Sequence, residues 1–253
     1  MSEISKSGFD YIEISLDYPW PFRGELKIGE VVQLAKLEGL SVAFHGPWRD
    51  IRLSSPIEKV RNASIEVFKS FIEEISNFEC EYVVTHLSTD QAFDKIPLIR
   101  SEVIDSAVKS IEELSSFAQR LGLRMAFENV KEDLPQFREV VNRTKSEVCL
   151  DVSHIICFSS KASKRDDLID IVARWINEFR DRIKMMHFSG VKFMEDWVRD
   201  HLITDENDPF LQLVKRELKK LKIENLLLEI FEDVTHEEVS PVRLENLVKY
   251  LRS

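Results

Sequence analysis

The stretch Glu147-Val148-Cys149-Leu150-Asp151-Val152-Ser153-His154 passes from an apolar run into a carboxylate and an imidazole. Val148-Cys149-Leu150 has the length and character of a buried strand, with Asp151 and His154 at its carboxyl end. Two such groups three residues apart at a strand end can face one cavity. The pattern recurs in Val42-Ala43-Phe44-His45, Val83-Val84-Thr85-His86, Met125-Ala126-Phe127-Glu128, Met185-Met186-His187 and Leu226-Leu227-Leu228-Glu229. Apolar strands that end again and again in His, Asp or Glu point to a metal site.

Seven strand-like runs, at 11–16, 41–45, 81–86, 123–128, 147–151, 183–187 and 225–229, are separated by helical segments. The helices fall at about 27–38, from about Pro56 onward, and at about 99–121, 132–143, 165–179, 210–221 and 240–251. The segment from Pro56 carries Ile57, Val60, Ala63, Ile65, Val67, Phe68, Phe71 and Ile72, a helical rather than an alternating period. Gly39 and Gly122 stop two helices, and Gly8 closes what reads as the tail of another over residues 2–8. Strict alternation of strand and helix implies parallel strands joined by right-handed crossovers.

The expected class is α/β, a TIM-type βα barrel, as one domain over residues 1–253. A closed barrel has eight strands. With seven, the first strand is missing and the barrel is open at that edge, which a second copy of the chain could cover as a homo-oligomer. The Pro-rich stretch Tyr18–Phe22, the polar stretch Ser189–Asp208 and Ser159–Ser163 read as loops.

The chain has 253 residues and a formal net charge of −10. An acidic balance disfavours nucleic acid, which proteins hold largely through basic phosphate contacts. No apolar run reaches the roughly 18 residues of a membrane helix, and the start, Met1-Ser-Glu-Ile-Ser-Lys6, lacks the apolar core of a signal peptide. Three cysteines (Cys80, Cys149 and Cys157) form no disulfide framework, so the expected location is the cytoplasm.

In a βα barrel, the carboxyl ends of the strands form the active-site face. That face would receive His45, His86, Glu128, Asp151, His154, His187 and Glu229, with His201 in the long loop after the sixth strand. A carboxylate that ends a strand and faces inward is costly unless paired or metal-bound. Imidazole and carboxylate together suit zinc, manganese or a similar divalent ion, and this many groups could hold one to three. Taken singly, a histidine such as His45 could cap a loop, and Glu128 or Glu229 could pair with a rim cation.

The order of these motifs resembles the xylose isomerase-like TIM barrels. That superfamily includes sugar isomerases and epimerases and the endonuclease IV type of apurinic-site nuclease, AP endonuclease family 2. The resemblance rests on His45-Gly-Pro-Trp-Arg-Asp-Ile-Arg-Leu-Ser-Ser55, Thr85-His86, Phe127-Glu-Asn129, Cys149-Leu-Asp-Val-Ser-His154, Met186-His-Phe-Ser189 and Leu228-Glu229, and runs from about residue 7 to 230. In the isomerase branch it implies one divalent ion on Glu128, Asp151, His187 and Glu229, with Glu128 and Glu229 catalytic in proton exchange at carbon, and His154 contacting a sugar. In the nuclease branch it implies a three-zinc cluster that His45, His86, His154 and His201 help to complete. A third reading is a catalytically degenerate barrel that binds metal or ligand.

Three departures from the nuclease pattern stand out. Its Asp-x-His motif reads Val198-Arg-Asp-His201, which places Arg199 where the Asp ligand belongs and Asp200 one residue too near. Its His-Pro-Gly reads His86-Leu-Ser, and an Asp common after the His187 position is replaced by Gly190. Beyond the strand ends, Trp48 and Arg49 could cover a sugar ring or bind a phosphate, or simply pack. The basic run Lys215–Lys222 reads as a solvated helix face.

Overall fold

The computed structural model describes residues 1–17, 27–86, 96–160 and 163–253. The expected loop Tyr18–Phe22 and part of Ser159–Ser163 lie outside these residues, as do Leu87 and Ser88 after His86. Two compact units emerge. Met1 and Asp10–Glu147 form one, and Ser2–Phe9 with Val148–Ser253 form the other.

Helix α1 (Ser2–Lys6) opens the chain and belongs to the second unit. The first unit alternates β1 (Tyr11–Ser15), α2 (Ile28–Leu37), β2 (Ser41–His45), α3 (Glu58–Ile75), β3 (Val83–His86), α4 (Arg100–Arg120), β4 (Met125–Glu128) and α5 (Leu134–Thr144). Its strands pair in parallel, β1 with β2, β2 with β3 and β3 with β4. All four residues of β4 and the last four of β2 are buried, so these strands are covered on both faces and show no alternation. Helix α3 turns Ile65, Phe68, Ile72 and Ile75 inward at spacings of three and four, one face of a 3.6-residue period. Phe44, Phe68, Tyr82, Phe127 and Phe137 are fully buried in this unit's core. Each such side chain contributes roughly 1.5–3 kcal/mol over an exposed one.

The second unit holds β5 (Glu147–Asp151), α6 (Val152–Ser159), α7 (Leu168–Phe179), β6 (Ile183–Phe188), the hairpin β7 (Gly190–Phe193) and β8 (Val198–Leu202), α8 (Pro209–Leu221), β9 (Asn225–Leu228) and α9 (Glu245–Arg252). Strand β6 pairs in parallel with β5 on one side and β9 on the other, while β7 and β8 pair antiparallel. Leu150, Met185, Met186 and Phe188 are buried, as are Leu168, Val172, Trp175, Ile176 and Phe179 of α7.

Among the described residues, the seven parallel strands fall where the apolar runs placed them, and β1 and β9 each have a single strand partner. Two elements differ from expectation. The polar loop Ser189–Asp208 contains the hairpin β7–β8, whose short strands carry too few apolar residues to announce themselves. Helix α6 follows β5 with no loop, because Asp151 itself caps it: its Oδ1 accepts the His154 N–H at 2.6 Å.

Elsewhere the caps follow ordinary rules. Asp133 Oδ1 accepts the Gln136 N–H at 2.8 Å at the start of α5, and Asp208 Oδ1 accepts two amides at the start of α8. The basic face of α8 is partly engaged, with Lys215 Nζ 2.8 Å from the Ser253 hydroxyl and Lys219 Nζ 3.0 Å from the Ser253 carbonyl. Cys80, Cys149 and Cys157 carry free thiols, and burial pushes that of Cys80 up to about 11. No helix among the described residues is long and apolar enough to cross a membrane.

Candidate metal centre

In the first unit, parallel register sets the site. Strands β2, β3 and β4 end at His45, His86 and Glu128, and His86 lies level with Glu128. Glu128 is fully buried; His45 Nε2 is 3.3 Å and His86 Nε2 3.7 Å from its Oε2. The two imidazoles meet edge to face, with centroids 4.9 Å apart. One ligand atom from each of the three residues lies within 4.8 Å of the others.

Hydrogen-bond chemistry says what this group suits. His45 Nδ1 is 2.8 Å from the Gly46 carbonyl, which can only accept, so Nδ1 carries the proton. In its neutral form His45 would then turn the lone pair of Nε2 towards a Glu128 oxygen. Two acceptors facing each other call for a proton or a cation between them. A nitrogen and an oxygen that share a tetrahedral zinc-sized ion stand roughly 3.4 Å apart. A ligating histidine also commonly donates its other N–H to a carbonyl. The donor set fits a divalent ion.

After His45, the Gly46 N–H donates to the Val84 carbonyl at 2.7 Å. A Cβ on Gly46 would sit 2.2 Å from the Phe68 ring, so no larger residue fits there without repacking. Beyond it, the buried Asp17 carboxylate accepts the N–H groups of Trp48 (3.1 Å) and Arg49 (3.0 Å) and also pairs with the Arg49 guanidinium. That guanidinium stacks 4.2 Å above the Trp48 ring, whose centroid is 5.9 Å from that of His86. Trp48 and Arg49 thus stand beside the histidines, on a loop held by Asp17, a residue the sequence did not single out.

In the second unit, Asp151 ends β5 level with His187 of β6, and Glu229 directly follows β9. Asp151 and His187 are fully buried, and His187 Nδ1 is 3.5 Å from Glu229 Oε2. Ligand atoms of these three also lie within 4.8 Å of one another. His154, on the first turn of α6, has its Nδ1 3.8 Å from Asp151 Oδ1.

The hairpin completes a further group. His154, Asp200 and His201 each bring a ligand atom within 4.8 Å of the others. Consecutive strand residues normally point to opposite faces. His201 breaks that rule with a left-handed backbone, φ 56°, which lets Asp200 and His201 turn the same way. Asp200, one residue too near by sequence pattern, is therefore brought in. His201 Nδ1 faces the Glu229 carbonyl at 3.1 Å and Nε2 faces Asp200 Oδ1 at 3.8 Å, the arrangement seen at His45. The His201 ring stacks on Phe231 at 4.8 Å.

Arg199 turns away to Glu232 and His236 and is no ligand. The Arg199 hydrogen bond holds the Glu232 carboxyl below its ordinary value, and the Thr235 hydroxyl followed by Arg243 does the same for Asp233. His236, the one histidine away from the strand ends, belongs to this surface network.

The sequence pattern of the xylose isomerase-like TIM barrels matches residues 1–250. Among solved structures, a D-tagatose 3-epimerase-like protein superposes with a TM-score of 0.75 at 19% identity, covering 100% of this chain and 92% of that one. IolI, solved with a bound zinc atom, gives 0.70 at 18% identity, covering 99% and 89%. Two uncharacterized proteins of Methanocaldococcus jannaschii are related in sequence. MJ1614 is 22% identical over 160 residues, 60% of each chain; MJ1311 is 25% identical over 148 residues, 57% of this chain and 47% of that one. The aligned part thus spans about half of the Methanocaldococcus proteins, whereas the family pattern runs nearly end to end, and on that pattern the chain belongs to the xylose isomerase-like TIM barrel family.

Proposed function

We propose that this chain is a divalent-metal-dependent sugar or sugar-phosphate isomerase or epimerase, acting as one catalytic domain in the cytoplasm. The observation that carries the reading is the group Asp151, His187 and Glu229, two of them fully buried, with ligand atoms within 4.8 Å of one another at strand ends. Sugar epimerases among the fold's neighbours support the same choice.

Asp151, His187 and Glu229 would hold the ion, and the family resemblance assigns Glu128 a ligand role as well. Zinc or manganese suits this mixture of imidazole and carboxylate. A bound divalent ion polarises a substrate carbonyl or hydroxyl and stabilises the charge that develops on its oxygen. Glu128 and Glu229 take and return the proton at carbon. His154 contacts a substrate hydroxyl, and Trp48 with Arg49 covers the sugar ring or its phosphate. A second copy of the chain covers the single-partnered edge strands.

The test pairs elemental analysis of unchelated protein with solvent deuterium incorporation into a panel of ketoses and aldoses. Bound divalent ion and label at carbon are expected. Protein devoid of metal would sink the reading, and metal without any exchange would leave a binding barrel that has lost turnover.

A second reading, an endonuclease IV-like nuclease acting at abasic sites, is favoured by one observation. His45–His86–Glu128 and His154–Asp200–His201 are further ligand groups that a one-ion isomerase does not need. Net charge −10 weighs against a nucleic-acid substrate. Incubation of the zinc-loaded protein with duplex DNA bearing an abasic site decides it: nicking supports the nuclease, and intact strands remove it.

A further inference from the structure

Ser153 and Ser189 are buried, with 0% and 1% exposure, and their hydroxyls form a chain whose direction is set by counting protons. Ser153 lies between Asp151 and His154 at the start of α6; Ser189 lies two residues after His187, where β6 hands over to the hairpin. Ser153 Oγ donates its one proton to the Ser189 carbonyl at 2.8 Å. It can then only accept, and it does so twice, from the Ser189 N–H at 2.9 Å and the Ser189 hydroxyl at 3.0 Å. Ser153 is now saturated. Ser189 Oγ has given its proton to Ser153, so its lone pair is turned outward, and it accepts the backbone N–H of His201 at 2.9 Å.

That last bond reaches a residue whose backbone needs holding, His201 at φ 56°. A non-glycine residue in the left-handed region persists only where its surroundings over-determine it. The rest of the hairpin is pressed close at the same place: a Cβ on Gly190 would sit 2.8 Å from the Leu202 carbonyl oxygen and 2.8 Å from Thr204 Cβ. The hydroxyl therefore acts on a hairpin already fixed in position, and it sets the turn of a single residue.

We propose that Ser189, seated by Ser153, is a positioning residue that holds His201, and with it Asp200, against His154, so that the hairpin completes an ion site apart from Asp151, His187 and Glu229. The inference rests on the reading of His154, Asp200 and His201 as ion ligands. Ser189 touches no ion itself. It fixes the peptide from which two ligands project, and outer partners of this kind change metal affinity by about 10–100-fold.

The experiment titrates the full-length apoprotein with cobalt(II), following visible absorption and heat, in wild type, Ser189→Ala and His201→Ala. In the wild type, at least two classes of cobalt site are expected. His201→Ala should remove one class. Ser189→Ala should weaken that same class about 10–100-fold, shift its absorption band and leave the other class unchanged, while the His201 amide exchanges with deuterium faster. Should Ser189→Ala fail to fold, Ser189→Cys keeps a weak acceptor in nearly the same volume and should show a smaller loss. Wild-type affinity in whichever variant folds overturns the positioning role. Loss of no cobalt class in His201→Ala overturns instead the ligand reading beneath it.

Discussion

The two histidine groups have the same chemistry and opposite construction. His45, His86 and Glu128 stand at the ends of three parallel strands, where regular pairing brings them together. His154, Asp200 and His201 come from the first turn of a helix and from a hairpin whose key residue has a left-handed backbone. In both, a histidine gives its Nδ1 proton to a backbone carbonyl and turns Nε2 to a carboxylate. The frame supplies this arrangement without strain. In the appended hairpin it comes with a left-handed residue whose N–H donates to the Ser189 hydroxyl.

Removing a frame ligand should have the largest effect. His187→Ala should lower divalent-ion affinity by more than about 100-fold, beyond the loss caused by outer partners. Ion titration by calorimetry measures it, and near-wild-type affinity would break the claim that strand ends carry the principal ligands.

Next comes the packing beneath the frame group. Gly46→Ala forces a methyl into Phe68 and should cost about 1–3 kcal/mol in urea unfolding, with weaker ion binding at His45. Unchanged stability would show that this strand end can relax, which would blur the contrast with the hairpin.

The hairpin makes a finer prediction. His201→Ala and His201→Gly both lose the imidazole, but glycine adopts a positive φ without penalty, so the Gly variant should be more stable by about 1 kcal/mol. Equal unfolding midpoints would mean that His201 carries no strain, and the comparison would lose its basis.

The smallest effect lies in the scaffold of the frame group, at the cap of α5. Burial pushes the Asp133 carboxyl up, but the Arg100 guanidinium and the Gln136 amide outweigh it and hold it below its ordinary 3.8. A carboxyl held low in the fold stabilises above its ordinary pKa and loses that contribution as pH falls through the lower folded value. Asp133→Ala should therefore cost up to about 1 kcal/mol at neutral pH, since the pair is partly solvated. The deficit should vanish in strong acid. Urea unfolding at both pH values checks it, and a deficit that persists in acid would separate the cap from its charge.

The same division explains what could be read in the sequence. His45, His86, Glu128, Asp151, His187 and Glu229 were legible because each interrupts an apolar run, and a buried strand announces its end by the first polar residue. The hairpin was not legible, since Gly190–Phe193 and Val198–Leu202 look like loop in composition. Asp200 reads as one residue too near because nothing in the residues around His201 signals a left-handed φ; Lys145 and Lys222, at φ 56° and 52°, end their helices in the same unadvertised way. Asp17, Ser153 and Ser189 were missed because their work is done through backbone amides, which leave no trace in residue type. Helix α6 was missed because its cap doubles as the strand's last residue.

That doubling has a consequence for Asp151. One of its oxygens is committed to the His154 amide at 2.6 Å, which ties the start of α6 to the end of β5. The side chain thus works as a ruler with a fixed span. Glutamate, one methylene longer, keeps the charge but cannot hold both the amide and the place that Asp151 now occupies beside His187. Position 151 therefore sorts acidic residues by length, and the commonest conservative exchange is the wrong one there.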